Sequence, residues 1–359
     1  MLTPSLDIKG RHILVTGVAG FVGSALARRL LSCGDDIHVV GLDNLNPYYD
    51  VTLKESRLAN IQTTAETHPR NTWTFIQGDV TNAPLLRDIF QTYDISLVVH
   101  LAAQAGVRHS ITHPDDYITS NIIGFYQILE ACRQFGVAHL VYASSSSVYG
   151  DNSKIPYQTS DKTDTPVSLY AATKKSNEVM AYAYARLYGI PTTGLRFFTV
   201  YGPWGRPDMA YFSFTEKLLR GESIRIFNHG NCLRDFTYID DVVEGVLRAM
   251  TCPPTVKVGE DGQTTPPYSL YNIGKGHPDS LLDFVDALGK ALVDAHVLPK
   301  DFDISGACEL VPMQPGDVAV TYADTLGMER DFGYTPTTPL SVGLRAFALW
   351  YKDYVEKGE

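Results

Sequence analysis

Short runs of apolar residues alternate with longer amphipathic stretches through the first 200 residues of the chain. The short runs predict six β-strands, at residues 12–16, 37–43, 74–78, 97–103, 139–145 and 192–198. Four of them are almost continuously apolar, which is typical of parallel strands covered on both faces. The amphipathic stretches predict helices, among them residues 22–32, 115–135 and 169–188. The alternation predicts an α/β fold built on a doubly wound parallel sheet of the Rossmann type.

The pattern changes after residue 200. Residues 201–208 are rich in Gly and Pro, residues 251–267 contain four prolines, and helical patterns return at 280–298 and 341–355. We therefore predict a Rossmann domain over residues 1–200, to which segments from about 236–275 return. A smaller C-terminal α/β domain, residues 201–359, would bind the substrate.

The composition is that of a folded protein with an acidic surface. The 359 residues are 44% apolar and 19% charged, with a net charge of −10. This balance argues against nucleic acid or an anionic membrane as a partner. Five scattered cysteines indicate neither a disulfide framework nor a metal site. Because we find neither a signal-peptide pattern nor a stretch apolar enough to span a bilayer, we expect a cytoplasmic location.

A glycine-rich turn joins the first predicted strand to the first helix. Its GxxGxxG pattern comprises Gly17, Gly20, Phe21, Val22 and Gly23. Such glycines let the backbone approach a pyrophosphate at a helix N-terminus. Asp43 follows Gly23 by twenty residues and ends the second strand, where a carboxylate can accept two ribose hydroxyls. Since the next residues, from Asn44 to Asn46, offer no cation for a 2′-phosphate, the pattern predicts NAD rather than NADP.

Residues after the third and fourth predicted strands would line the same crevice. Asp79 could bond an adenine amino group, and Val80 follows it. The small side chains of Ala102 and Ala103 would let a dinucleotide lie close to the backbone. The remaining expected cofactor contacts are Leu101, Gln104 and Asn121. Taken alone, these strand-end residues could equally well serve only to pack the protein interior.

A serine cluster and a Tyr–Lys pair carry the candidate chemistry. Ser145 lies at the end of the fifth strand, and Tyr170 and Lys174 are spaced i, i+4 on the next helix, so they share one face. An ammonium beside a phenol, together with a positive nicotinamide, favours the phenolate and lowers the pKa of the tyrosine. We predict Ser145, Tyr170 and Lys174 as catalytic, with Tyr170 and Lys174 also contacting the cofactor.

Together these motifs resemble those of the extended short-chain dehydrogenase/reductase family over nearly the whole chain. The residues that carry the resemblance are 16–23, 100–103, 144–150, 170–174 and 234–241. Residues 100–108, 197–210, 227–241 and 313–318 are similar to the nucleotide-sugar 4-epimerases that act on UDP-glucuronate. The resemblance implies tightly held NAD, a UDP-sugar substrate, a transient 4-keto sugar, UDP-galacturonate as product, and a homodimer formed through four helices.

The resemblance also assigns residues to the sugar and its nucleotide. Ser146 and Ser147 stand where dehydratases carry an Asp-Glu pair and decarboxylases a Glu, so elimination is disfavoured. The C6 carboxylate would be held by Arg206, with Thr199 and the two serines, and Arg108 is a weaker candidate for that pocket. The nucleotide would contact Arg225, Phe227, Arg234 and Asp317. Gln314 replaces an arginine of UDP-galactose 4-epimerases.

Three alternatives stay open. The enzyme could be a 4-epimerase of UDP-glucose and UDP-galactose or of UDP-N-acetylhexosamines, or a UDP-glucuronate decarboxylase. A non-catalytic, NAD-sensing module is the alternative outside enzymes. Apolar residues that the helical pattern leaves exposed fit either the expected dimer interface or packing in the core; they are Tyr117, Ile118, Ile122, Tyr182 and Tyr184.

Overall fold

The computed structural model describes residues 6–259, 261–313 and 318–356. The strands within these ranges are β1 (His12–Thr16), β2 (His38–Asp43), β3 (Thr72–Gln77), β4 (Ile95–His100), β5 (His139–Ser145), β6 (Thr192–Phe197), β7 (Thr199–Tyr201), β8 (Ile224–Ile226), β9 (Leu233–Arg234), β10 (Phe236–Tyr238), β11 (Lys257–Val258), β12 (Thr264–Thr265), β13 (Tyr268–Ile273), β14 (Asp279–Ser280) and β15 (Cys308–Leu310). The main sheet has seven strands in the order β13-β6-β5-β4-β1-β2-β3. All its neighbouring strands are parallel. The predicted doubly wound sheet is confirmed, with β13 as an additional strand.

Helices cover both faces of this sheet and build the C-terminal part. They are α1 (Phe21–Ser32), α2 (Val51–Thr67), α3 (Ala83–Tyr93), α4 (His109–Thr112), α5 (Pro114–Tyr117), α6 (Phe125–Phe135), α7 (Leu169–Tyr188), α8 (Ala210–Leu219), α9 (Ile239–Met250), α10 (Leu281–Asp294), α11 (Leu326–Phe332) and α12 (Leu340–Glu356). Ile118–Gly124 is a π-helix, and Ser146–Tyr149, Phe227–Gly230 and Ser305–Ala307 are short 3₁₀ helices. No helix in the described ranges is long and apolar enough to cross a membrane.

The core has one apolar layer on each side of the sheet and a third under the C-terminal helices. One layer joins the sheet to α1, α9 and α11, and the opposite layer joins it to α3, α6 and α7. The third layer lies among α8, α10 and α12. Because β13 and α9 belong to the sheet and its covering layer, chain from beyond residue 200 contributes to the first half of the fold. The predicted domain boundaries themselves stay a prediction.

The single helix expected over residues 115–135 is wrong, since α5, the π-helix and α6 divide it. The π-helix places Asn121 in the interior, where its side-chain oxygen accepts the Gln104 amide at 2.8 Å and its side-chain nitrogen donates to the Gln104 carbonyl at 3.0 Å. For Tyr117 the sequence left an interface and core packing open, and the structure shows core packing. Tyr117 is fully buried, and its hydroxyl donates to the Ala105 carbonyl at 2.9 Å.

A buried ion pair fixes helix α7 to the sheet. Arg196 on β6 donates from Nε and Nη2 to the two carboxylate oxygens of Glu178, each at 2.8 Å, and both side chains are almost fully buried. The Ser144 hydroxyl donates to the same carboxylate at 2.7 Å. Because Glu178 lies one turn after Lys174 on α7, this pair sets how that helix faces the carboxyl end of β5.

Replacing Glu178 by Gln removes the negative charge and leaves Arg196 buried without its counter-ion. Losing one partner of a buried pair costs about 3–5 kcal/mol, so we expect the midpoint of thermal unfolding to fall on the order of 10 °C. Glu222→Gln is the control, because Glu222 forms a solvent-exposed pair with Arg220. Equal midpoints for the two variants would contradict the anchoring role.

Candidate active site

The turn between β1 and α1 has a backbone shaped for close approach. Gly17 adopts a left-handed φ of +69°, and a Cβ there would lie 2.7 Å from the backbone nitrogen of Ala102. A Cβ on Gly23 would overlap the carbonyl oxygen of Gly17. Gly20 caps α1 without any side-chain hydrogen bond, and the first turn of α1 carries no acidic residue. The N-terminal amides of α1 are therefore presented to an anion, as a dinucleotide diphosphate requires.

Polar residues at the ends of β2 and β3 lie beside this turn. The carboxylate of Asp43 accepts the amide of Ala19 at 3.0 Å, so it also holds the turn. The side-chain amide of Asn44 donates to Asp79 at 2.7 Å, which joins the two strand ends. Lys54, on α2, is buried with its ammonium close to Asp43, where burial lowers the lysine pKa and Asp43 raises it. Residues 44–46 carry no cation, as the sequence analysis states, and the fold brings Lys54 to Asp43 from a more distant position on α2.

Asn121 is buried and holds the backbone of the segment after β4 that is expected to contact the cofactor. Its amide nitrogen donates to the Gln104 carbonyl and to the Thr173 hydroxyl, each at 3.0 Å. Both of its donor hydrogens are thereby used within the chain. Asn121 thus positions the segment after β4, which contains Leu101, Ala102, Ala103 and Gln104. Direct contact between Asn121 and a cofactor stays a prediction.

The structure brings the predicted Ser145, Tyr170 and Lys174 together at the carboxyl end of β5. The Ser145 hydroxyl lies beside the Tyr170 phenol, where it acts to lower the pKa of that phenol. The Lys174 ammonium donates to the Ala143 carbonyl at 2.9 Å, and burial lowers its pKa to about 8. The ring of Tyr117 meets the ring of Tyr170 edge-on, with centroids 6.0 Å apart. This grouping provides a phenol, a hydroxyl and an ammonium in one crevice.

The expected net lowering of the Tyr170 pKa is not found for the polypeptide. Burial is the largest influence and raises the pKa of Tyr170, while the Ser145 hydroxyl and the positive charge of Arg206 lower it. The i, i+4 spacing of Tyr170 and Lys174 predicts that the lysine lowers the pKa of the tyrosine. That spacing does not reveal how far the phenol is removed from water, and this desolvation favours the neutral form.

Arg206 lies near Tyr170 and is already held by a carboxylate. Its Nε and Nη2 donate to the two oxygens of Asp208 at 2.9 and 2.5 Å, and the Tyr48 hydroxyl donates to Asp208 at 3.3 Å. Burial raises the pKa of Asp208, but Arg206 outweighs it and the pKa falls below its usual value. Nη1 of Arg206 makes no hydrogen bond within the described residues, so one side of the fork is available to a second anion.

Three of the predicted nucleotide and sugar residues form a second group. The guanidinium carbons of Arg108 and Arg225 lie 5.2 and 5.6 Å from the centroid of the Phe227 ring. Arg234 donates to the Ala319 carbonyl at 2.9 Å. A flat aromatic ring among guanidinium groups suits a base and its phosphates. Asp317 and Gln314 lie outside the described residues.

The remaining predicted sugar residues surround the strand ends. Ser146 and Ser147 begin the 3₁₀ helix after β5 and are half-buried, and the amide of Ser147 donates to the Ser145 hydroxyl at 3.1 Å. Thr199 begins β7, and its amide donates to the Asp235 carbonyl at 3.2 Å. Their side chains thus lie on segments that start at the carboxyl ends of β5 and β6. No hydrogen bond joins them to Arg206 among the residues described.

The glycine turn, the acidic strand end and the Ser–Tyr–Lys group on a doubly wound sheet define a dinucleotide-dependent enzyme of the extended short-chain dehydrogenase/reductase type. Residues 13–274 match the sequence model of the NAD dependent epimerase/dehydratase family, and the chain belongs to this family. Its cofactor is NAD.

Several known proteins are similar to this chain over nearly its whole length. Protein CapI of Staphylococcus aureus is 46% identical over 351 residues, which are 96% of this chain and 99% of that protein. UDP-glucuronate 4-epimerase 4 of Arabidopsis thaliana is 44% identical over 352 residues, 96% of this chain and 76% of that protein. The structure of UDP-glucuronic acid 4-epimerase from Bacillus cereus, in complex with UDP-glucuronic acid and NAD, is 34% identical with a TM-score of 0.81, and the match covers 96% of this chain and 99% of that one.

Replacing Gly23 by Ala tests the close packing of the glycine turn. The added Cβ would overlap the Gly17 carbonyl, so α1 must shift away from β1. We expect the NAD released from denatured, purified protein to fall at least tenfold relative to the wild type. Gly34→Ala is the control, because a Cβ there meets only a side-chain carbon of Ile37 at 3.4 Å. Wild-type NAD content in Gly23→Ala would contradict this account.

Proposed function

We propose that this enzyme is a UDP-glucuronate 4-epimerase, which interconverts UDP-glucuronate and UDP-galacturonate by inverting C4 through a transient 4-keto sugar. The observation that carries the proposal is the Arg206 guanidinium, which Asp208 holds through Nε and Nη2 while Nη1 makes no hydrogen bond in the described part of the chain, and whose charge acts on the Tyr170 phenol. A uronate needs such a cation near the reacting carbon, because its carboxylate is attached at C5, next to C4. The activity of the Arabidopsis relative and the ligands of the Bacillus cereus structure support the same substrate.

The described residues fit the dinucleotide. The glycine turn leaves room for a diphosphate at the N-terminus of α1, and Asp43 stands where a carboxylate accepts ribose hydroxyls. When bound, NAD supplies the acceptor for the C4 hydride and the donor that returns it to the opposite face of the sugar. Lys174, held by the Ala143 carbonyl, would contact the nicotinamide ribose.

The chain's own residues would move the proton. Tyr170 would accept the proton of the 4-hydroxyl, and Ser145, which lies beside it, would share that proton. The positive charge of Arg206 favours the phenolate, which offsets part of the cost of burial. The phenol would return the proton to the sugar oxygen once C4 has been reduced from the other face.

Restraint of the carboxylate would decide the fate of the keto sugar. A 4-keto uronate is a β-keto acid, which loses carbon dioxide most readily when the breaking bond aligns with the carbonyl π system. Arg206 would hold the carboxylate out of this alignment, with hydrogen bonds from Ser146, Ser147 and Thr199. Serines rather than carboxylates at positions 146 and 147 leave elimination without its acid and base. Epimerisation is therefore favoured over decarboxylation.

A 4-epimerase of neutral UDP-hexoses is the second candidate, and one observation favours it. Asp208 already neutralises Arg206 within the chain, so a neutral sugar could bind without any change in this pair. The uronate must instead share the guanidinium with Asp208. The unused Nη1 of Arg206 makes sharing possible, and this is why we rank the uronate first.

The nucleotide contacts and the assembly are part of the proposal. Phe227, with Arg108 and Arg225, would receive the uracil, and Arg234 and Asp317 would bind the diphosphate and ribose. Exposed apolar residues lie on the π-helix, α6 and α7, where a second copy of the chain would cover them; they are Ile118, Ile123, Tyr126, Val179 and Tyr182. We propose a homodimer through these helices, working in the cytoplasm.

Product identification tests the proposal. Purified protein is incubated, without added NAD, with UDP-glucuronate, UDP-galactose or UDP-N-acetylglucosamine in separate reactions, and the sugars are identified by NMR. We expect UDP-galacturonate from UDP-glucuronate at a rate well above either neutral conversion. UDP-xylose or a stable 4-keto sugar as the main product would contradict the proposal, and faster conversion of UDP-galactose would favour the second candidate.

Arg206→Met tests the residue that distinguishes the two candidates. Losing a charged contact that is shielded from water costs about 2–5 kcal/mol. We therefore expect kcat/KM for UDP-glucuronate to fall at least about 30-fold. Arg70→Met is the control, because Arg70 forms an exposed pair with Asp35. A less than threefold loss in Arg206→Met would show that the carboxylate is held elsewhere.

A further inference from the structure

Arg57 is a fully buried cation whose hydrogen-bond partners are all neutral. It lies on the buried face of α2 with Leu53 and Ile61, and only 1% of it is exposed. Its guanidinium makes five hydrogen bonds in the described part of the chain, to three backbone carbonyls and one tyrosine hydroxyl. Burying a charge without a counter-ion is costly, so a function should account for its presence.

The oxygens that Arg57 binds belong to two different functional segments. Nη1 donates to the carbonyl of Ala19 at 3.0 Å, in the glycine turn. Nε and Nη2 donate to the carbonyl of Trp204 at 3.0 and 2.7 Å, and Nη2 also donates to the carbonyl of Gly205 at 2.9 Å. These last two residues directly precede Arg206. One side chain therefore joins the dinucleotide turn to the loop that carries the carboxylate-binding arginine.

The loop before Arg206 has a conformation that needs such support. Trp204 adopts φ +64°, a left-handed value that residues other than glycine rarely take. A Cβ on Gly205 would overlap the hydroxyl of Tyr211. The two carbonyls face the protein interior, where donors must satisfy them, and Arg57 supplies those donors. Both backbone polar groups of Ala19 are bonded, because its carbonyl accepts from Arg57 and its amide donates to Asp43 at 3.0 Å.

We propose that Arg57 is a positioning residue that clamps the loop of Trp204 and Gly205 to the glycine turn, and thereby sets Arg206 for the substrate carboxylate while it holds the NAD-binding turn. The inference rests on the proposed function as far as the carboxylate is concerned. Arginine suits this role because its planar fork donates in several directions at once, which a lysine ammonium on a single stem cannot do at this spacing. The sugar site and the cofactor site would thus be formed together.

Binding measurements on Arg57→Met test the clamp. In a Tyr170→Phe background, which prevents turnover, calorimetry gives the affinities of the NAD-loaded protein for UDP-glucuronate, UDP-glucose and UDP. We expect the ratio of uronate to glucose affinity to fall at least tenfold in Arg57→Met, with UDP affinity changed less than twofold. Tyr49→Phe is the matched control, since it removes one acceptor and leaves the bonds to the carbonyls. An unchanged ratio in Arg57→Met would overturn the inference.

Amide hydrogen exchange provides a readout that is independent of the sugar. We expect faster exchange in peptides covering residues 17–23 and 203–209 of Arg57→Met, and wild-type exchange in α10. Uniformly faster exchange would mean general destabilisation and would overturn a positioning role. If Arg57→Met does not fold, Arg57→Lys replaces it with the same expectations. A Tyr170→Phe background that does not prefer the uronate would contradict the proposed function, while local exchange would still decide whether Arg57 clamps the two segments.

Discussion

The active site depends on keeping one guanidinium, that of Arg206, charged and oriented beside a phenol in a partly buried crevice. Removing a charge from water costs several kcal/mol unless a counter-charge and hydrogen bonds offset it. Asp208 supplies the counter-charge, and Tyr48 supports Asp208 from the loop after β2. Because most of this cost is met within the chain itself, a substrate carboxylate bound there as proposed would encounter an arrangement that is already organised to receive it.

The same requirement explains why both halves of the chain meet at the carboxyl edge of the sheet. The proposed catalytic tyrosine, Tyr170, comes from α7, which the buried Glu178–Arg196 pair fixes to β6. The loop that carries Arg206 follows β7, which begins shortly after β6. Strand β6 therefore helps to position both Tyr170 and Arg206. Anchored in this way, Arg206 and Tyr170 keep a constant separation, which the proposed selectivity between uronates and neutral sugars would require.

The strongest sequence patterns predicted the elements that carry the chemistry. The bounds of β5 and α7 agree with the prediction, because their apolar runs, caps and terminal glycine are all local signals. The division of residues 115–135 was missed, since it depends on Asn121 bonding a distant backbone segment. Lys54 and Arg57 were missed for a related reason: a cation on a helix usually faces solvent, and only the fold turns these two inward.

A crystal structure of the Tyr170→Phe variant with UDP-glucuronate and NAD would show directly whether Arg206 holds the substrate carboxylate. We expect the uronate carboxylate within hydrogen-bonding distance of the Arg206 guanidinium, roughly 2.7–3.2 Å, while Asp208 keeps its place on the other side of the fork. The C4 hydroxyl should face the ring at position 170. A carboxylate that contacts other residues, with Arg206 bound to Asp208 alone, would contradict the account.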